Sequence, residues 1–263
     1  MTILDRIIEH KHKELPLRME KTSLNDLEKL PGFSRKTVSL SKALLDPGRT
    51  GIIAEFKRKS PSKGILNQAA TIEEVTTGYF RAGASALSVL TDSEFFAGSV
   101  EDLIRTREIN PIPILRKDFI IHEYQVAESK AIGADAILLI AAVLDRTKVK
   151  QLAALARSFE LQVILEIHEA SELKMANDYI SVIGVNNRDL RDFSVDIDRS
   201  VALAPFIPKE FLKISESGIH SPFVLKQLQA CGYDGFLIGE NFMRDPDPAT
   251  AFTAFIKQLI QMQ

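Results

Sequence analysis

Glu55 and Lys57 stand two positions apart in the segment IIAEFKRKSPSKG, a spacing that puts both side chains on one face of an extended chain. A carboxylate beside an ammonium can take and give protons. Taken alone, the pair reads more readily as a structural ion pair at the head of a solvated charge run, Lys57 to Lys59. Four more places carry groups of the same kind: Lys117 and Asp118 in LRKDF, Glu166 in VILEIH, Asn186 and Arg188 in IGVNNRDL, and Ser217 in SESGIHS. Singly, Asp118 reads as well as a loop cap, Arg188 as a surface salt bridge and Ser217 as a turn residue. Together they change the balance, because a buried lysine or glutamate is costly unless paired. A cluster of both signs is where pKa values shift and acid–base chemistry becomes available.

Each group follows or closes a short apolar run, and those runs are the elements that must bring the groups together. From residue 52 onward eight such runs, at 52–56, 86–90, 112–116, 136–140, 162–166, 181–185, 211–215 and 235–239, alternate with longer amphipathic stretches. Their starts lie roughly 19 to 34 residues apart, which leaves room for a helix and two loops, the connection that parallel strands require. Several runs are apolar at consecutive positions, as in strands covered on both faces. Helices are expected at 72–82, 100–109, 123–132 and 145–159, with Asp145 and Ser221-Pro222 as N-terminal caps and Gly133 and Gly232 as helix stops. Eight such units predict a single (β/α)8 TIM barrel; no G-x-G-x-x-G marks a doubly wound sheet. Residues 1–47 fall outside the count and read as a helical extension, with helix-like stretches at 2–13, 23–30 and 39–45. Being too short for a core of their own, they should pack Ile3, Ile7, Ile8 and Leu27 on the barrel, residues 48–263.

Composition narrows the function. In 263 residues, 33 Lys plus Arg against 35 Asp plus Glu leave a net charge of −2, so no general field attracts nucleic acid or an anionic membrane. No apolar stretch is long enough to span a bilayer, and the N-terminus lacks the apolar centre of a signal peptide. Cys231 is the only cysteine, which excludes an intrachain disulfide and any multi-cysteine metal site; a cytoplasmic protein is expected. An anion must therefore be bound locally. In a barrel of this kind the loops after strands seven and eight serve that purpose, here with Gly218 in SESGIHS and Gly239 in LIGENFMR, where backbone N–H groups can approach a phosphate. Glu240 opposes this unless its side chain turns outward. Glycines at strand-to-helix turns are also needed in any barrel.

The series IIAEFKRKSPSKG, LRKDFIIHEYQV, VILEIH, IGVNNRDL, ISESGI and FLIGENFMR resembles, in the same order, the motifs of the indole-3-glycerol phosphate synthase family. The resemblance implies ring closure of 1-(2-carboxyphenylamino)-1-deoxyribulose 5-phosphate with loss of CO2 and water, with no metal or organic cofactor. By motif position it implies Lys117 as the general acid on the substrate ketone and Lys57 on the carboxylate and in later proton transfer. Glu166 would assist loss of the hydroxyl, Glu55 would orient it and a lysine, and Asn186 and Ser217 would hold the anthranilate and hydroxyls. Arg188 would support the carboxylates, and Pro61, Phe96, Phe119 and Leu138 would form the apolar wall. Ser60, Gly218, Gly239 and the Glu240 backbone match the phosphate site. His122 and Lys63 depart from the family pattern and are expected to touch loop dynamics or pH profile, not reaction type. A monomer is expected, with weak association with other enzymes of the pathway left open and no fused isomerase after the last helix. Two other readings compete. A phosphosugar isomerase would need an Asp/Cys pair at strand ends, which Cys231 in the seventh helix does not supply; a barrel that binds without turnover would not need Glu55, Lys57, Lys117 and Glu166 together.

Overall fold

In the computed structural model, which describes residues 2–189 and 192–262, eight parallel strands close into a barrel. They are β1 (Ile52–Phe56), β2 (Ala86–Leu90), β3 (Ile114–Lys117) and β4 (Ala136–Ile140), followed by β5 (Gln162–Ile167), β6 (Val182–Asn186), β7 (Leu212–Glu216) and β8 (Gly235–Ile238). Each strand pairs with its neighbour in sequence, and β1 closes on β8 with Ile52 opposite Phe236. Leu190, the last residue of the IGVNNRDL motif, lies outside the described residues.

The two-residue period of the strands divides the core in two. Ile53, Ala86, Leu115, Ala136, Leu138, Ile164, Val182, Ile214 and Leu237 fill the barrel interior, while Ile52, Leu87, Ile114, Ile137, Val163, Ile183 and Phe236 face the surrounding helices. Continuing the inward rows toward the strand ends gives Glu55, Lys117, Glu166, Asn186 and Glu216. The barrel thus converts alternate positions of separate strands into one ring of polar groups.

Helices form where caps were expected: Asp145 caps Arg146–Ser158, Ser221 caps Pro222–Ala230, and Gly133 and Gly232 take positive φ after their helices. Three differences stand against the expected bounds. β3 starts at Ile114 and not 112, because Pro113 has no N–H for the ladder, and it runs on to take in Lys117. β6 and β7 each sit one residue later than expected, which moves Asn186 and Glu216 out of the loops and into the strands. After β5, at the tightest spacing in the chain, there is no α-helix but a 3-10 segment, Ala170–Met175.

The extension begins with α1 (Ile3–Lys21), started by a reciprocal Thr2–Asp5 cap and longer than expected, since it continues through Pro16. The lost backbone bond at Pro16 is offset by what the helix buries. Ile7 joins the barrel interior, Leu15 and Leu27 the outer core, and Leu40 and Leu44 of the helix Leu40–Leu44 the interior again; Ile3 and Ile8 pack at the edge. Lys11 of α1 has no solvent exposure. Its Nζ lies 3.0 Å from Asp92, 3.0 Å from Asp118 and 3.1 Å from Glu14. Arg116, also fully buried, pairs with Asp118 at 3.1 Å and Glu128 at 2.7 Å, and Glu128 returns to Arg18 of α1. The charge run along α1 is thus half inside the protein, because the barrel presents carboxylates to it.

Removing one member of such a network leaves buried carboxylates unpaired, at a cost of about 3–5 kcal/mol. Lys11→Met should lose that much in urea unfolding, whereas Lys13→Met, on the exposed side of α1, should leave the midpoint where it is.

Candidate active site

At the C-terminal end of the barrel Lys117 closes β3 and extends toward β5 and β7, its Nζ 3.1 Å from Glu166 and 3.7 Å from Glu216. Across the mouth Lys57 sits 3.0 Å from Glu55, whose other oxygen takes a hydrogen bond from Ser88 at 3.3 Å. Burial alone would drive the Lys117 ammonium to give up its proton. Glu166, Glu216 and Glu55 outweigh burial and hold it above the usual lysine range. The two glutamates part company. Burial raises Glu166, but Lys117, His168 and a bond with the Asn186 side chain bring it below its ordinary value. Burial pushes Glu216 up to about 8 from 4.5, helped by the Glu166 and Glu55 charges and only partly opposed by Lys117. Near neutrality Glu166 is ionised and Glu216 keeps its proton.

These groups line two joined compartments. The inner one, about 100 Å³, is walled by Pro61, Phe96, Phe119 and Leu138 and floored by Lys117, Glu166 and Asn186, with Ser60 also on its wall. The outer one, about 780 Å³ and open, is lined by Gly218 and Gly239. Glu55, Lys57, Arg188, Ser217 and Glu240 line both. Every site residue expected from the sequence therefore faces this space. Ser60 faces the inner compartment, away from the two glycines, and Ser62 and Lys63 stand at the outer one. Phe96 and Phe119 stack at a tilt, 6.0 Å between centroids, giving an aromatic wall beside Lys117.

Local backbone explains several placements. Gly239 is required because a Cβ there would come within 2.8 Å of the Glu55 side chain. Ser217 and Gly218 both adopt left-handed φ, +69° and +76°. For a serine that is strained; the buried Asn187 amide holds it by donating to the Ser217 carbonyl at 3.1 Å and to Ser215 Oγ at 2.9 Å. Glu240 has not turned outward: its carboxylate stays on the wall, held 2.9 Å from Arg188 and 2.6 Å from Arg244. Asp118 lies at the inner compartment, but its oxygens serve Lys11, Arg116, Thr91 and the Phe119 N–H, a structural role. His122 caps the helix Glu123–Ala131, its Nδ1 accepting the Tyr124 N–H at 3.1 Å.

Sequence reading missed Glu216, Asn187 and His168. Glu216 could have been found from Ile214 by the two-residue period, and from Gly184, where a Cβ would meet a Glu216 oxygen at 2.3 Å. His168 continues the same two-residue row from Ile164 and Glu166, while Asn187 carries no such signal.

Fold and site together define a class: a (β/α)8 barrel with lysines and glutamates clustered at the strand C-termini, the end where barrel enzymes carry their active sites. Solved barrels agree on the fold. 3-Hexulose-6-phosphate synthase from Salmonella typhimurium superposes with a TM-score of 0.63 at 13% identity, over 81% of this chain and 99% of that one. The tryptophan synthase alpha subunit from Legionella pneumophila does so with 0.62 at 15%, over 84% and 97%. Sequence goes further. The chain belongs to the indole-3-glycerol phosphate synthase family, which matches residues 4–257; these enzymes are carboxy-lyases of tryptophan biosynthesis. Indole-3-glycerol phosphate synthase of Bacteroides thetaiotaomicron is 46% identical over 98% of both chains. That of Acidithiobacillus ferrooxidans is 42% identical over 95% of this chain and 96% of its own.

The proton on Glu216 has a thermodynamic consequence. Its folded pKa is raised, so the stability it contributes is complete below about 4.5 and is lost as pH rises through about 8. Each pH unit in that window removes up to about 1.4 kcal/mol. Glu216→Gln, which imitates the protonated carboxyl, should flatten this slope: thermal unfolding should show the variant gaining on wild type from pH 5 to about pH 8 and levelling off above it.

Proposed function

We propose that Lys117 is the general acid of the ring closure on 1-(2-carboxyphenylamino)-1-deoxyribulose 5-phosphate. The observation that carries this reading is the Lys117 ammonium, half-buried between Glu166 and Glu216 and adjoining the Phe96–Phe119 wall. An aromatic carbon attacking a ketone builds negative charge on oxygen, and an ammonium at that point lowers the barrier. The Glu166 and Glu55 charges keep Lys117 charged until then, and the alkoxide is basic enough to take its proton.

The remaining roles follow from position. Lys57 and Arg188 hold the substrate carboxylate, and Lys57 takes part in later proton transfer. Glu55 orients Lys57, Glu166 assists departure of the hydroxyl, and Asn186 and Ser217 hold the anthranilate and hydroxyls. Glu216 adds a protonated carboxyl beside Lys117, so a proton store adjoins the group that the second step needs. The aromatic ring lies against Pro61, Phe96, Phe119 and Leu138. The phosphate takes the outer compartment, on backbone N–H groups at Gly218, Gly239 and Glu240, with Ser60 at its inner edge. Residues 48–263 are the catalytic barrel and residues 1–47 its extension. We assign the reaction to the cytoplasm and to a monomer, with no cofactor, nucleic acid or membrane involved; no helix among the described residues is long and apolar enough to cross a bilayer.

If Lys117 donates the proton, Lys117→Ala should lose about 10²- to 10⁴-fold in kcat with a much smaller change in KM. Lys117→Arg should stay strongly impaired, since the rigid planar guanidinium keeps the charge but places its N–H groups differently from the ammonium. Near wild-type turnover in the arginine variant, followed by indole fluorescence, would reassign the acid. The phosphate assignment is checked separately: sulfate or phosphate should compete with substrate, and in soaked crystals should lie on the Gly218 and Gly239 amides.

A further inference from the structure

We propose that His168 is the positioning residue of Glu166, an imidazole donor that holds this carboxylate when Lys117 turns to the substrate. The inference rests on the roles proposed above for Lys117 and Glu166. His168 follows β5 and lies two residues beyond Glu166, on the same side of the chain. Its Nε2 is 3.7 Å from Glu166 Oε1, while Lys117 occupies the other oxygen, Oε2, at 3.1 Å. Both ring nitrogens are buried, and neither has a hydrogen-bond partner among the described residues. Burying an unsatisfied imidazole costs free energy that a merely space-filling residue need not incur.

The main chain at this point is fixed independently of the ring, because the His168 N–H donates to Glu172 at 2.6 Å. Less than about an ångström of ring movement brings Nε2 into hydrogen-bond range of Oε1. Glu166 needs that partner at one stage of the reaction in particular. With Lys117 on the substrate oxygen, the buried carboxylate loses its cation, and the Asn186 side chain alone is left to hold it. His168 lines neither compartment, so it reaches the chemistry through Glu166 and not through the substrate.

Steady-state kinetics on His168→Leu, His168→Gln, Glu166→Gln and the double variant His168→Leu/Glu166→Gln test this. Misplacing a catalytic group by an ångström costs on the order of 10²-fold, so His168→Leu should lose about 10- to 100-fold in kcat with KM within about twofold. His168→Gln, whose amide reaches the same oxygen, should recover most of the loss, and His168→Leu should cost nothing further when Glu166 is already Gln. Wild-type kcat in His168→Leu beside a slow Glu166→Gln overturns the role of His168 alone, as does an undiminished loss in the double variant. Wild-type kcat in Glu166→Gln overturns the assignment of Glu166 and this inference with it. Should His168→Leu not fold, His168→Asn replaces it, since its amide stops short of Glu166: a slow Asn beside a fast Gln supports the proposal, and equal rates overturn it.

Discussion

The arrangement depends on charge balance in a small buried space. Glu55, Glu166 and Glu216 are each almost wholly inaccessible, and two ammonium groups, Lys57 and Lys117, stand among them. Three negative charges against two positive would leave one buried charge uncompensated, so one carboxyl keeps its proton. Glu216 is that carboxyl, because it is buried, faces both other glutamates and is farther than Glu166 from Lys117. The same balance that makes the cluster tolerable thus stocks the mouth with an ammonium, a neutral acid and a carboxylate.

Holding Lys117 in place falls to its sequence neighbours. Arg116, Lys117 and Asp118 alternate: Lys117 turns into the mouth, while Arg116 and Asp118 join the buried network that includes Lys11 and Arg18 of α1. Asp92, the other partner of Lys11, caps the short helix Ser93–Phe96 that carries one side of the aromatic wall. The extension therefore braces the strand that bears Lys117 and the turn that bears Phe96. The pairs of Lys11 with Asp92 and Asp118 are fully desolvated, and such pairs are sensitive to loss of a single partner.

The outer compartment shows the complementary case of charges held by one another at an open wall. Arg188 and Arg244 both engage Glu240, and Arg188 lines the inner space as well as the outer. An anion entering this space would compete with Glu240 for Arg188, while Arg244 keeps Glu240 neutralised. The Glu240 carboxylate is tolerable on this wall for that reason, although it has not turned away.

Local information determined the class of fold and most of the site. Runs of apolar residues at barrel spacing, and polar residues at their ends, suffice for the eight strands and for Glu55, Lys117 and Glu166, because a strand's two-residue period is written in the chain itself. Tertiary structure alone decided the rest. Glu216 lies on the inward row of Ile214, but the room for its carboxyl comes from Gly184 on the neighbouring strand, where a Cβ would meet a Glu216 oxygen at 2.3 Å. Lys11 stands in the chain among charges of both signs, Asp5, Arg6, Glu9, Lys13 and Glu14, and its burial depends on Asp92 and Asp118, more than eighty residues away along the chain. Which carboxyl is protonated, and which arginine a glutamate engages, are likewise set by distances between strands far apart in sequence, and such distances exist only once the barrel has closed.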